Sequence, residues 1–213
     1  INGRGYGFFK ITEGESSGLW SVLRSSEDEV LKGSLLITLY ENLRWKTISP
    51  QGFREEMLAY LPNESNSLLF SMALSYLGDC QRIFPSDSRP LEQVLWKIVT
   101  TNPVSQHRLQ AFRLYRSIAD SEEAVQRLYT LWQERKAPKD CTLSESDYIG
   151  LSYMLAMHLP EKADKIIATQ LSRIQNPDRK KEYQFISPSV SPRKAERDSV
   201  FASLLIAGNR RVE

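Results

Sequence analysis

The sequence predicts an all-α protein of about 10–11 helices preceded by one orphan β-strand, and three observations carry that prediction. From about residue 16 onward, apolar residues recur at the helical period. Helix starts are marked repeatedly by Ser, Asn or Asp followed by Pro or acidic residues. Residues 5–12, Gly-Tyr-Gly-Phe-Phe-Lys-Ile-Thr, stand apart: aromatic and β-branched residues at that density, set among glycines, favour a strand. One strand is not stable alone, so it is expected to close a sheet whose other strands come from elsewhere. The 213 residues are 41% hydrophobic and 25% charged, ordinary proportions for a folded chain that exclude a disordered one. The length suffices for one domain, or one and a half, with a real core.

The helices are expected to begin near residues 17, 27, 50, 65, 90, 104, 121, 145, 160, 177 and 192. Ser26-Glu27-Asp28-Glu29 and Asp120-Ser121-Glu122-Glu123 have the form of capping boxes. Pro50, Pro103, Pro160, Pro177 and Pro192 are placed at first helical positions, where a missing N–H costs nothing. In four of the five the residue before is Ser or Asn, whose side chain caps free N–H groups. Phe53, Met57, Leu58 and Leu61 form one apolar stripe, and Ala163, Ile167, Leu171 and Ile174 another. Between Val30 and Leu43 the apolar residues run almost all round, which predicts a helix buried on every side. Helix pairs recur roughly every 30–40 residues without a clean repeat, favouring an irregular HEAT-like or armadillo-like superhelix over a compact bundle.

Net charge is +2, but residues 160–213 hold 11 Lys and Arg against 7 Asp and Glu, which reads as a solvated basic end. Arg179-Lys180-Lys181 and Arg193-Lys194 lack interleaved aromatic platforms, so no nucleic-acid partner is expected. Cys80 and Cys141 have no metal-ligand spacing; two buried thiols are favoured over a disulfide. No apolar run approaches the roughly 20 residues of a membrane span. The start at Ile1-Asn2-Gly3-Arg4-Gly5 carries no signal-peptide pattern and reads as that of a fragment or processed piece.

Motifs that carry chemistry are missing. His107 and His158 are far apart and neither lies in H-E-x-x-H, which sets two imidazoles one helical turn apart around zinc. With two His and two isolated Cys, no three-ligand zinc site assembles without unusual carboxylate help, so no metal or catalytic residue is assigned. His107 is expected on an exposed polar face, and His158 at a helix end where a cation suits the dipole. No nucleophile elbow, phosphate loop or dinucleotide fingerprint is present. Glu55-Glu56 and Glu122-Glu123 read as solvated or capping residues. Arg108, Arg113 and Arg116 crowd one helix around Phe112 and Tyr115. They are the candidate peptide-contacting residues, because guanidinium binds a carboxylate bidentately. A solvated face whose Arg stems cover apolar neighbours is the preferred reading of the same residues.

Asn2 and Gly7-Phe8-Phe9-Lys10-Ile11, followed by Leu19-Trp20 and Leu23, resemble a junction in the aminopeptidase N (gluzincin) family of zinc metallopeptidases. There a strand of the form N-x-x-G-[YF]-[YF]-R-V closes a small β-sandwich and a helical domain follows; Lys10 and Ile11 stand here in place of Arg and Val. Leu61-Pro62-Asn63-Glu64, Leu69-Phe70 and Ala73-Leu74 look like that domain's L-x-x-E…W-x-x-A-L stretch. The tail is the most specific part. Phe185 to Ser191, Arg197 to Leu204 and Asn209-Arg210-Arg211 look like the C-terminal portion of the Bacteroidetes branch of that family.

The resemblance implies residues 1–14 as the last strand of a preceding small β-sandwich and residues 15–213 as a C-terminal helical superhelix. In the family this domain caps the active-site chamber and restricts which peptides enter. Zinc is then expected in the parent's catalytic domain, and none here. The zinc ligands, general-base Glu and G-x-M-E-N motif of the family have no matching positions in this sequence. The implied partners are the upstream catalytic and β-domains of the same chain and the parent's peptide substrate. The implied compartment is periplasmic or cell-envelope, or else cytoplasmic. The alternative is a free-standing α-solenoid scaffold that binds proteins on its concave face.

Overall fold

The structure is a computed structural model and describes residues 7–209. Asn2, Gly3, the first two residues of the expected strand (Gly5 and Tyr6), and Arg210 and Arg211 of the tail lie outside the described residues. Eleven α-helices and four short 3-10 turns make up the regular structure among the described residues, and no strand occurs there. The chain divides between residues 118 and 119 into two compact units.

The first unit holds α1 (Glu13–Ser25), α2 (Glu29–Arg44), α3 (Pro50–Tyr60), α4 (Ser67–Ile83), α5 (Arg89–Thr101) and α6 (Ser105–Ile118). Helices α1 to α4 each pack on the next, α4 also meets α2 and α6, and α5 packs chiefly on α6. The core is aliphatic and aromatic: Leu35, Leu36 and Leu39 of α2, Phe53 of α3, Phe70 of α4 and Phe112 of α6 are all fully buried. Trp20 of α1 meets Phe53 edge-on at 5.5 Å between ring centroids. Polar ties fix the helix ends. Glu13 accepts from the Ser49 N–H at 2.7 Å, and Arg24 pairs with Glu56.

The second unit holds α7 (Glu122–Glu134), α8 (Glu145–His158), α9 (Ala163–Arg173), α10 (Pro177–Ile186) and α11 (Lys194–Ser203). Helix α9 grips the C-terminal end of α7. Arg173 donates to the carbonyls of Trp132 (2.9 Å) and Gln133 (3.2 Å), two groups that the end of α7 leaves without helical partners. Its guanidinium lies over the Trp132 ring at 4.8 Å, and the indole N–H donates to Gln170 at 2.8 Å. Tyr183 of α10 is buried against α8, its hydroxyl 2.9 Å from that of Ser152. Helix α11 buries no residue of its own. It is tied down by Arg193, which binds Asp164 of α9 through two bonds of 2.8 Å, and by Arg197, which donates to the Ser191 carbonyl at 2.6 Å.

Several expectations need correction. The strand is not seen: residues 7–12 pair with no strand, and Thr12 instead caps α1. The Thr12 side chain accepts from the Glu15 N–H while Glu15 reaches back to the Thr12 N–H at 2.7 Å, a capping box hidden under the strand reading. Helix α1 therefore begins at Glu13. The box at Ser26 is displaced: Asp28 caps α2, accepting from Val30 and Leu31, while Ser26 accepts from the Asp28 N–H. Pro103 and Pro192 precede their helices, because Asn102 and Ser191 each accept the N–H two residues on and close a turn first. Helix α2 is not buried all round; Val30 and Ile37 are exposed while polar Thr38 and Asn42 are buried. Of the stripe expected on α9, Ala163 and Ile174 are buried while Ile167 and Leu171 are half-buried; Ile166 and Gln170 complete the buried face, Gln170 through its bond from Trp132. The Phe53–Met57–Leu61 stripe is buried, with Leu58 at its edge.

Candidate functional site

On α6 the spacing sets Arg113 and Arg116 on one side, with Arg108 offset. Arg108 is half-buried and its Nε donates to the backbone carbonyl of Asn102, at the end of α5. Arg113 is exposed, Arg116 half-buried, and each has a partner already.

His107 is not exposed as expected but fully buried. Its ring stacks on Phe70 at 4.0 Å and 7°, Nε2 lies 3.0 Å from the Ser67 hydroxyl, and Nδ1 has no partner. Burial holds the imidazole below its ordinary pKa, with nearby Glu64 acting the other way. The neighbouring Arg108 misleads at the sequence level: residues 107 and 108 are about 100° apart on a helix, so one faces α4 while the other faces α5. His158 ends α8, its Nδ1 3.9 Å from Asp120. Both cysteines are free. Cys80 is buried, whereas Cys141 is half-exposed, against the expectation of two buried thiols.

A buried charged cluster escapes the motif search. Glu64 accepts from Lys32 Nζ at 2.8 Å, from the Tyr60 hydroxyl, and from the Asn66 N–H at 2.7 Å. Burial pushes its carboxyl up, but the Lys32 ammonium and these donors outweigh that and hold it below its ordinary value. Burial and the adjacent Glu64 push the Tyr60 phenol well above its usual value. The cluster ties α2, α3 and the start of α4 together. Glu64 stands in a polar link between Asn63 and Ser65, and no local sequence signal marks it.

The most distinctive surface lies at residues 7–12. Asn42 of α2 is fully buried and uses its whole amide. It accepts from the Ile11 N–H (2.9 Å) and the Thr47 hydroxyl (2.6 Å), and donates to the carbonyls of Phe9 (2.7 Å) and Thr38 (2.9 Å). A carbonyl and an N–H two residues apart are bound by one amide, which is how a neighbouring strand binds an extended chain. The backbone N–H and C=O of Phe8 and Lys10 have no partners among the described residues. Phe8 (46% exposed) tilts against Trp45 (67% exposed) at 5.6 Å, and Phe9 and Ile37 are also about half exposed. Phe8, Phe9 and Ile37 line a hollow of about 320 Å³ between the segment and α2. The expected strand does not form there; the amide that holds the segment lies more than 30 residues away and has no local signature.

Among the described residues, no group of three or more His, Cys, Asp or Glu side chains is arranged to hold a metal ion. No helix there is long and apolar enough to cross a membrane. Compared with protein-family models, curated proteins and solved structures, the chain matches none.

Proposed function

We propose that this chain is a non-catalytic, helical superhelix domain of a zinc-dependent aminopeptidase, which removes N-terminal amino acids from peptides, and that it caps the active-site chamber and restricts substrate entry. The catalytic zinc belongs to another domain of the parent. The observation that carries the reading is the segment at residues 7–12. The stretch at residues 7–12 is held against α2 by Asn42, with exposed aromatic groups and a Phe8 and Lys10 backbone that has no partner among the described residues. That is what a β-domain preceding a helical domain needs at their junction: a strand end fixed to one body and available to the other. The residues of this segment and of the tail are also those that resemble the family.

Two measurements test it. The purified 213-residue chain, supplied with zinc, is expected not to hydrolyse amino-acid anilides, and zinc-dependent turnover refutes the proposal. The coding sequence upstream of Ile1 is expected to carry H-E-x-x-H, two helix-borne imidazoles with the Glu as base. An upstream frame without it leaves the scaffold reading in its place.

A further inference from the structure

A cleft of about 460 Å³ runs between α4 and α6 in the first unit, lined by Leu74, Ser75, Gly78, Asp79, Gln81, Arg82, Leu114, Ser117 and Ile118. Its size is within the roughly 300–1,000 Å³ of small-ligand clefts. Small residues open it: Gly78 lets α4 approach α6 so closely that a Cβ there would lie 2.9 Å from Leu114 Cδ1. Ser75 and Ser117 leave room beside it. The floor is aliphatic, from Leu74, Leu114 and Ile118, and charge gathers at one side. Asp79 is held in place by the Tyr40 hydroxyl, which donates to Oδ2 at 2.7 Å from a ring stacked on Tyr76 at 4.0 Å. Arg82 reaches the other oxygen, Oδ1, through Nη2. Its Nε and Nη1, and the Ser75 hydroxyl, have no partners among the described residues. Arg82 is 75% exposed at its side chain, free to accept a ligand without first breaking a core contact.

We propose that this cleft binds a free α-amino acid with an aliphatic side chain, its carboxylate on Arg82 Nη1, its ammonium on Asp79 and its side chain on Leu74, Leu114 and Ile118. A zwitterion is what the charge pattern selects. A plain carboxylate meets Asp79 as a like charge and a plain amine meets Arg82 as one, whereas an amino acid meets an opposite charge at each end. Backbone-like recognition at the mouth and an apolar floor give selectivity for Leu-like side chains over Gly or Asp. The inference uses none of the residues of the 7–12 junction, so it stands or fails independently of the proposed function.

The test is titration of the isotope-labelled 213-residue chain with L-leucine by NMR, with isovalerate (no ammonium) and isopentylamine (no carboxylate) in parallel. Leucine is expected to saturate with a Kd on the order of millimolar, the strength a ligand of so few atoms reaches. The shifts are expected to centre on the amides of Ser75, Gly78 and Leu114. Each analogue is expected to bind about tenfold or more weakly, as is leucine to Arg82→Gln, because a charge-assisted pair is lost in each case. Ser75→Leu, which fills the cleft without touching the ion pair, is expected to abolish binding. The proposal is overturned by the absence of saturable shifts, by analogues that bind as well as leucine, by shifts centred elsewhere, or by undiminished binding to Arg82→Gln.

Discussion

Replacing Asn42 by Leu keeps nearly the same volume in the core and removes every polar contact that holds residues 7–11 to α2. Two of the lost bonds, to Phe9 and Ile11, go to backbone that water reaches, so each is worth about 0.5 kcal/mol, the low end for a hydrogen bond. The shorter bond from the Thr47 hydroxyl is lost as well, at about 1 kcal/mol, although that hydroxyl keeps the backbone carbonyl of residue 42 as an acceptor at 3.1 Å. The expected loss is therefore about 2 kcal/mol, read as a shift in the urea midpoint at unchanged slope. The local effect is larger than the global one. Lys10 sits between the two clamped groups, so freeing the segment exposes the Lys10–Ile11 bond. Trypsin cleavage there is expected to accelerate by about tenfold or more while helical circular dichroism stays constant. If Asn42→Leu leaves both the midpoint and the Lys10 cleavage rate where they were, the amide does not hold the segment and the junction reasoning fails.

Three other perturbations follow from the same geometry. Glu64→Gln uncouples a buried carboxylate from Lys32 and is expected to cost about 3 kcal/mol in urea unfolding; a loss under about 1 kcal/mol would show that the pair is solvated. His107 has a folded pKa below its ordinary value of about 6.5, so the unfolded chain takes up the proton first. Stability is then expected to fall as pH drops below about 6.5, at no more than about 1.4 kcal/mol per pH unit, until the folded imidazole titrates. Comparing urea midpoints of the native chain and His107→Gln at pH 7.5 and 5 checks this, and an identical pH dependence would refute it. Arg173→Ala removes two bonds to the end of α7 and the stack on Trp132, and is expected to destabilise the second unit by about 2 kcal/mol; unchanged thermal unfolding would contradict the cap assigned to it.

The helices were legible because their ends carry local chemistry. Asn66 before Ser67, Ser121 before Glu122 and Asn176 before Pro177 cap where a Ser or Asn side chain must, and all eleven helices begin within a few residues of where they were expected. What was not legible depends on distant partners. Nothing local marks Asn42 or Gln170 for burial, yet each is buried because a group more than 30 residues away completes its hydrogen bonding. His107 was hidden in the same way: Phe70 and Ser67 make room for it, and neither is visible from its own helix. For the three arginines of α6, spacing alone does not reveal that Arg108 is occupied with the end of α5.

Trp45 gives the junction an optical consequence. Trp20 and Trp132 are buried in the cores of the two units, and Trp96 is partly covered, but the Trp45 indole lies open against Phe8 beside the hollow. Its emission is red-shifted by water and reachable by a collisional quencher, whereas that of the buried pair is not. Anything that settles over residues 7–11 shields this one ring, so the chain carries a fluorophore at the surface where it is proposed to join a neighbour.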